Sequence, residues 1–140
     1  MTLEAATSPA EPTGEIVSQP GKLMRLAAVA RAMLDEARAT PCDTEGCERF
    51  RRIYERTLHE LSGLLSNDLK VELAYLSVTF DEPSPSPSEI RAAQAELVGW
   101  LEGLINGIAA AAMTQQAQAE EQAAEIAAAA DAADRPGLYL

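Results

Sequence analysis

The sequence is poor in the residues that usually carry chemistry. It has one histidine, two cysteines and only 4% aromatic residues. It contains no G-x-S-x-G, H-E-x-x-H, Walker or Rossmann glycine pattern. A di-iron bundle needs Glu-x-x-His pairs, but the position three residues before His59 is Arg56. We therefore expect a protein that is not an enzyme, without a metal or cofactor, in which His59 is a helix-surface residue.

Basic residues are also scarce. Eleven lysines and arginines stand against 22 aspartates and glutamates, which gives a formal net charge of −11. Nucleic-acid backbones and anionic membrane surfaces both attract basic proteins, so we expect neither as a partner. The start, "MTLEAATSPAEPTGEIVS", has neither the basic nor the apolar region of a secretory signal, and a cytoplasmic location is expected.

The two cysteines, Cys42 and Cys47, lie close together in "PCDTEGCERF". A structural zinc site would need two further ligands. Two reduced thiols near a turn are predicted, with a metal site or redox switch as the alternative. The sequence assigns them no role.

Capping and breaking residues divide the chain into segments. Residues 1–17 hold few large apolar groups, so burial of apolar surface cannot compensate for the conformational entropy lost on ordering. We expect this segment to be disordered. The first helix begins after Ser18 or Gln19. It ends before Pro41, because proline disfavours the helical conformation of the residue that precedes it.

Two shorter helical segments follow. The second helix starts at Asp43 or Thr44 and breaks at Gly63. A brief third helix is capped by Ser66 or Asn67. A strand over "YLSVTF" is an alternative, but it would have no partner strand.

The fourth helix has the clearest start and no clear end. Ser86, Pro87 and Glu89 form a capping box with proline in the first turn. Fourteen of the 25 residues from Ala109 to Ala133 are alanine, which favours helix but offers little to bury. The prediction is an all-α, four-helix bundle over 18–108, an alanine-rich helical extension or linker over 109–134 and a tail over 135–140.

A glycine ladder interrupts this longest helix. "VGWLEGLING" places Gly99, Gly103 and Gly107 four residues apart on one face. Together they cost roughly 2–3 kcal/mol relative to alanine. Close approach of another helix, within the subunit or from a neighbouring one, is the expected compensation. Trp100 beside the ladder is either a subunit anchor or a core residue.

Three stretches, "QPGKLMRLAAVARAMLDEARATP", "QAELVGWLEGLINGI" and the terminal "GLYL", resemble the bacterial proteasome activator of actinobacteria. The resemblance implies four-helix subunits in a homo-oligomeric, twelve-membered ring with an apolar-lined channel. It also implies an ATP-independent activity on the 20S proteasome core particle, whose gate the ring opens for unfolded or disordered protein substrates.

The same resemblance assigns a role to the C-terminal tail, a motif like the hydrophobic-Tyr-any ending of other proteasome activators. Its docking residues would be Gly137, Leu138, Tyr139 and Leu140. They would enter pockets between α-subunits, although Leu138 stands where the family usually has glutamine. The alternative is a non-enzymatic helical scaffold or adaptor whose apolar C-terminus binds a peptide-recognition domain.

Overall fold

The computed structural model of the chain describes residues 16–80 and 84–133. These residues form four α-helices: α1 (Pro20–Ala39), α2 (Thr44–Ser62), α3 (Asn67–Leu76) and α4 (Pro87–Ala133). Within the described ranges, the only β-type pairing is an isolated antiparallel bridge between Val17 and Leu65. The predicted all-α class with four helices is therefore confirmed, and the alternative strand over "YLSVTF" does not form.

The helix ends follow from local capping. At the start of α4, the Ser86 N–H donates to Glu89 Oε1 at 2.8 Å and the Glu89 N–H donates to Ser86 Oγ at 3.1 Å, so the predicted capping box is confirmed. Asp43 caps α2 by accepting the Gly46 N–H at 2.7 Å. Thr40 leaves α1 in an extended conformation directly before Pro41.

The core lies between the helices of the part of the chain that ends at Ile105. Tyr54 of α2 is its largest fully buried side chain. Helices α1, α2 and α4 and the loops supply the other fully buried residues: Val17, Leu23, Cys47, Leu61, Ile90, Leu97 and Leu101. Leu73 is the buried residue of α3. Burial of such aliphatic side chains, at roughly 1.5–3 kcal/mol each, is the main stabilising term of the fold.

Two buried polar groups fix elements to one another. The Gln94 side chain on α4 is buried and donates from Nε2 to the Ala30 carbonyl of α1 at 3.1 Å. The Tyr54 hydroxyl accepts the Val78 N–H at 3.1 Å, and its ring meets Phe80 edge-on with centroids 5.7 Å apart. Buried polar groups are costly without partners, so these bonds define where α4 and the segment after α3 pack.

The cysteines correct the sequence prediction of two reduced thiols. Cys42 and Cys47 are joined by a disulfide, with their Cα atoms 5.2 Å apart. The reason is the turn at Asp43, which begins α2 and brings the residue before the cap back against the first helical turn. A Cα separation in this range suits a disulfide. Cys47 is buried with Ala37, Phe50 and Ile90.

Internal contacts divide the chain into two compact units, one ending at Ile105 and one beginning at Asn106. In the second unit, all described residues from Ala109 to Ala133 are helical and exposed. In the first unit, Val17 is buried, so packing begins one residue before the predicted bundle start at Ser18. Residues 1–15 lie outside the described residues, and the predicted segment boundaries stay predictions.

Candidate functional site: the glycine face of the fourth helix

Gly99, Gly103 and Gly107 form an exposed stripe on α4, which we call the glycine face. A Cβ atom placed on any of the three would meet no other heavy atom within 4 Å, apart from its own helix backbone and chain neighbours. The described residues of the subunit therefore supply no neighbour that requires glycine here. Of the two predicted compensations for the cost of roughly 2–3 kcal/mol, close approach of another helix of the same subunit is not found among the described residues, and a contact from a neighbouring subunit stays a prediction.

Trp100 lies beside the glycine face and is half-buried. Its indole Nε1–H donates to Glu72 Oε1 on α3 at 3.1 Å. The tryptophan thus serves the subunit by linking α4 to α3, and the part of its ring that stays accessible borders the glycine face. An aromatic ring held in one orientation by a hydrogen bond is well suited to a contact with another chain.

An ion pair lies on the neighbouring turn of α4. Arg31 of α1 donates to Glu102 at 2.8 Å, and both side chains are about half exposed, at 44% and 50%. Pairs this accessible contribute about 0–1 kcal/mol. Asp35 lies 3.9 Å from the same guanidinium, one turn along α1. The edge of the glycine face is therefore polar, with one guanidinium shared between two carboxylates.

A cavity of about 350 Å³ lies along the first turns of α4. The residues after α3 provide its apolar wall, with Val78 and Phe80 opposite Ala92. Glu89 and Glu96 supply its carboxylates.

Burial raises the pKa of Tyr54 above its ordinary value, although the N–H that Val78 donates to the hydroxyl opposes that rise. Tyr54 is accordingly a neutral structural group at physiological pH.

A second surface, between α1 and α2, was missed by reasoning from the sequence. It is a groove of about 600 Å³, which we call the arginine groove. Its lining consists of Leu26, Val29, Arg49, Arg52, Ile53, Arg56, Thr57 and Glu60. The sequence signal was present as arginines at i, i+3 and i+7 of α2.

The acids next to the arginine groove are already engaged. Arg51 forms a two-pronged contact with Glu48, and the hydrogen bonds from Arg51 are the main reason that the pKa of Glu48 lies below its ordinary value. Lys22 donates to Glu60 at 2.6 Å and likewise lowers the pKa of Glu60. Both carboxylates thus remain ionised and paired near neutral pH.

Among residues 16–80 and 84–133, no group of three or more His, Cys, Asp or Glu side chains is placed to hold a metal ion. By length and composition alone, α4 is long and apolar enough to cross a membrane. Core helices of proteins that do not enter a membrane pass the same test of length and composition. The absence of a membrane partner therefore stays a prediction.

The predicted docking residues Gly137, Leu138, Tyr139 and Leu140 lie outside the described residues. Their role therefore depends on the sequence and on similarity to known proteins.

The chain was compared with known families and proteins. A family model described as "Bacterial proteasome activator" matches residues 2–138. Over 109 residues, the chain is 42% identical to the Bacterial proteasome activator of Mycolicibacterium smegmatis, covering 77% of this chain and 62% of that protein. The proteins of that name from Mycobacterium tuberculosis strain H37Rv and Mycobacterium leprae are 42% and 41% identical over 109 residues, with 77% of this chain and 63% of each relative covered. The chain spans less than two thirds of the length of these relatives.

Proposed function

We propose, because this chain belongs to the bacterial proteasome activator family, that it is a non-catalytic, ATP-independent activator of the 20S proteasome core particle. The observation that carries the proposal is the family match over residues 2–138, which spans almost the whole sequence. The lack of an ATPase motif fits a passive activator. Such a protein cannot pull on folded substrates and admits only polypeptides that are already unfolded or disordered.

Self-assembly into a ring, twelve-membered as the resemblance implies, is part of the proposal. The exposed glycine face supports it, because a soluble helix gains nothing from three solvent-facing glycines unless another backbone packs on them. We assign this contact to Gly99, Gly103 and Gly107, with the accessible edge of Trp100 beside it. Each subunit would then offer one helix face to a neighbouring copy.

The C-terminal tail is the segment that we propose docks on the proteasome. Leu138, Tyr139 and Leu140 follow Pro136 and Gly137 in the sequence, two residue types that disfavour the continuation of a helix. The terminal carboxylate would pair with a lysine in a pocket between α-subunits, and the Tyr139 ring would press on the gating segment. One such tail binds weakly, at roughly 10 µM to 1 mM, but linked tails on a ring gain about 10²–10⁴ in avidity.

The location proposed for this activity is the cytoplasm, where the proteasome and unfolded polypeptides meet. Residues 109–133 form an exposed, alanine-rich helix that precedes the tail in the sequence. This segment would act as the spacer between the ring and the docking tail. A spacer is needed because a twelve-fold ring on a seven-fold pore cannot fill every pocket by symmetry.

The test is degradation of a long unstructured protein, such as casein, by purified 20S core particles with and without this protein. We expect stimulation by the intact chain and none by Tyr139→Ala, while native mass spectrometry shows the same assembly for both. Ala133→Ser, an exposed change before the tail, is the matched control and should stimulate normally. No stimulation by the intact chain would refute the proposal and favour the alternative, a non-enzymatic helical scaffold or adaptor.

A further inference from the structure

We propose that the arginine groove between α1 and α2 binds segments of unfolded polypeptide in which acidic residues flank an aliphatic side chain. The inference rests on the proposed function for its biological meaning, since it names a class of substrate sequence that this surface would recognise. The binding itself needs no proteasome, so the two proposals can fail separately.

The floor of the groove is aliphatic. Leu26 and Val29 of α1 face Ile53 of α2, and Val29 is 45% exposed. Leu26 and Ile53 are half-buried, so the groove presents apolar surface to water along two packed helices. Covering such surface removes apolar groups from water and is favourable. The floor therefore selects an aliphatic side chain, and it lacks the aromatic groups on which a nucleic-acid base would stack.

The rim is cationic and incompletely neutralised. Arg49, Arg52 and Arg56 follow one face of α2, and the Arg52 and Arg56 side chains are 61% and 78% exposed. Among the described residues, no side-chain hydrogen bond or ion pair involves the Arg49 guanidinium. Three of the eleven cations of a chain with net charge −11 are thus gathered beside one groove.

The carboxylates within reach are committed elsewhere. The nearest to Arg52 is Glu48, at 3.5 Å, and Glu48 already holds both prongs of Arg51. Glu60 lies 3.6 Å from Arg56 but accepts the shorter bond, 2.6 Å, from Lys22. The guanidinium groups consequently keep donors for an incoming carboxylate, which they bind in a two-pronged geometry that ammonium groups cannot match.

Charge complementarity commits the groove to an acidic and aliphatic polypeptide. An acidic segment supplies the missing carboxylates at the rim while a leucine or valine between them covers the floor. Each exposed ion pair adds little affinity, so a single segment binds weakly. Several grooves on an assembly would hold a long unfolded chain by multivalency.

The test is isothermal titration calorimetry of the full chain with a synthetic peptide in which glutamate and leucine alternate with serine. Matched peptides carry lysine for each glutamate, or serine for each leucine. We expect binding of the acidic aliphatic peptide only, weakened by salt as exposed ion pairs are. The double variant Arg49→Glu/Arg52→Glu should lose about five- to twentyfold in affinity for it and gain affinity for the lysine peptide. Arg38→Glu, an exposed change on the last turn of α1, is the control that should bind as the unaltered protein does.

Other results would overturn the proposal. Equal affinity for the glutamate and lysine peptides would remove the role of the arginines. A smaller native mass for the double variant would assign the groove to a second copy of this chain. If the peptide binds only after residues 1–15 are deleted, the groove would be assigned to the chain's own acidic N-terminal segment. Circular dichroism of the double variant checks that its helices are retained, and the gain for the lysine peptide is a readout that simple loss of folding cannot produce.

Discussion

Replacing Gly103 with leucine separates the needs of the subunit from those of the assembly. Among the described residues, a Cβ at position 103 meets no heavy atom within 4 Å apart from its own helix backbone and chain neighbours, and Gly103 is exposed, so the larger side chain can extend into solvent. Leucine is also a better helix former than glycine by about 0.8 kcal/mol. The fold should therefore keep its helices or gain slightly in stability.

The assembly should respond in the opposite direction. Helix pairs lie about 8–10 Å apart depending on the side chains between them, and a glycine ladder serves the short end of that range. A leucine at the centre of the glycine face would force the two helices apart and leave Gly99 and Gly107 without contacts. We expect Gly103→Leu to lose the assembly, and with it proteasome stimulation, while retaining helicity.

Native mass spectrometry measures the subunit number and far-ultraviolet circular dichroism measures the helix content. Ala109→Leu is the matched control, because Ala109 is exposed on the same helix and, six residues after Gly103, lies about 120° around the helix axis from it. An unchanged native mass for Gly103→Leu would refute the reasoning. So would a native protein that is already a monomer, since the glycines would then have no partner to explain them.

Three further changes test the fold itself. Tyr54→Phe keeps the ring against Phe80 but removes the hydroxyl that accepts the Val78 N–H, and should lower the free energy of unfolding by about 1 kcal/mol in urea denaturation; no loss would mean that the bond is dispensable. Reducing the Cys42–Cys47 disulfide opens a short loop and should cost about 2 kcal/mol, with Cys42→Ser insensitive to reductant; identical unfolding curves for oxidised and reduced protein would contradict this. Because Lys22 lowers the pKa of Glu60, their pair stabilises the fold above the unfolded carboxyl pKa of about 4.3, and this stabilisation is lost as the pH falls through the lower folded value. The stability difference between the unaltered protein and Lys22→Met should therefore be present at pH 7 and close under acid; a difference that persists at low pH would show another cause.

Features set by neighbouring residues were readable from the sequence. The start of α4 depends on Ser86 and Glu89, three positions apart, and their reciprocal hydrogen bonds are those that the capping box predicts. The end of α1 depends on the steric demand of Pro41. Four helices and their order followed from such signals, because a cap or a break needs no information from the rest of the chain.

Features that depend on distant residues were not readable. The spacing of Arg49, Arg52 and Arg56 shows that they share a face of α2, but it does not reveal that Val29 of α1 lies alongside. The energetic cost of the glycine ladder can be estimated from the sequence, whereas the lack of a close neighbour among the described residues is visible only in three dimensions.

The cysteines illustrate an intermediate case. Their pairing depends on a turn whose cap, Asp43, was recognised as a start of α2. What the sequence did not disclose is that this turn brings Cys42 against Cys47, which the Cα separation of 5.2 Å makes plain.

Trp100 is the single tryptophan of the chain, and the hydrogen bond to Glu72 holds its indole at the border of the glycine face. The intrinsic fluorescence of Trp100 therefore reports on the surface where we propose that a neighbouring copy packs. Exclusion of water from the ring would shift its ultraviolet emission to shorter wavelength, and dilution would reverse the shift. Association could thus be followed in unlabelled protein and in real time.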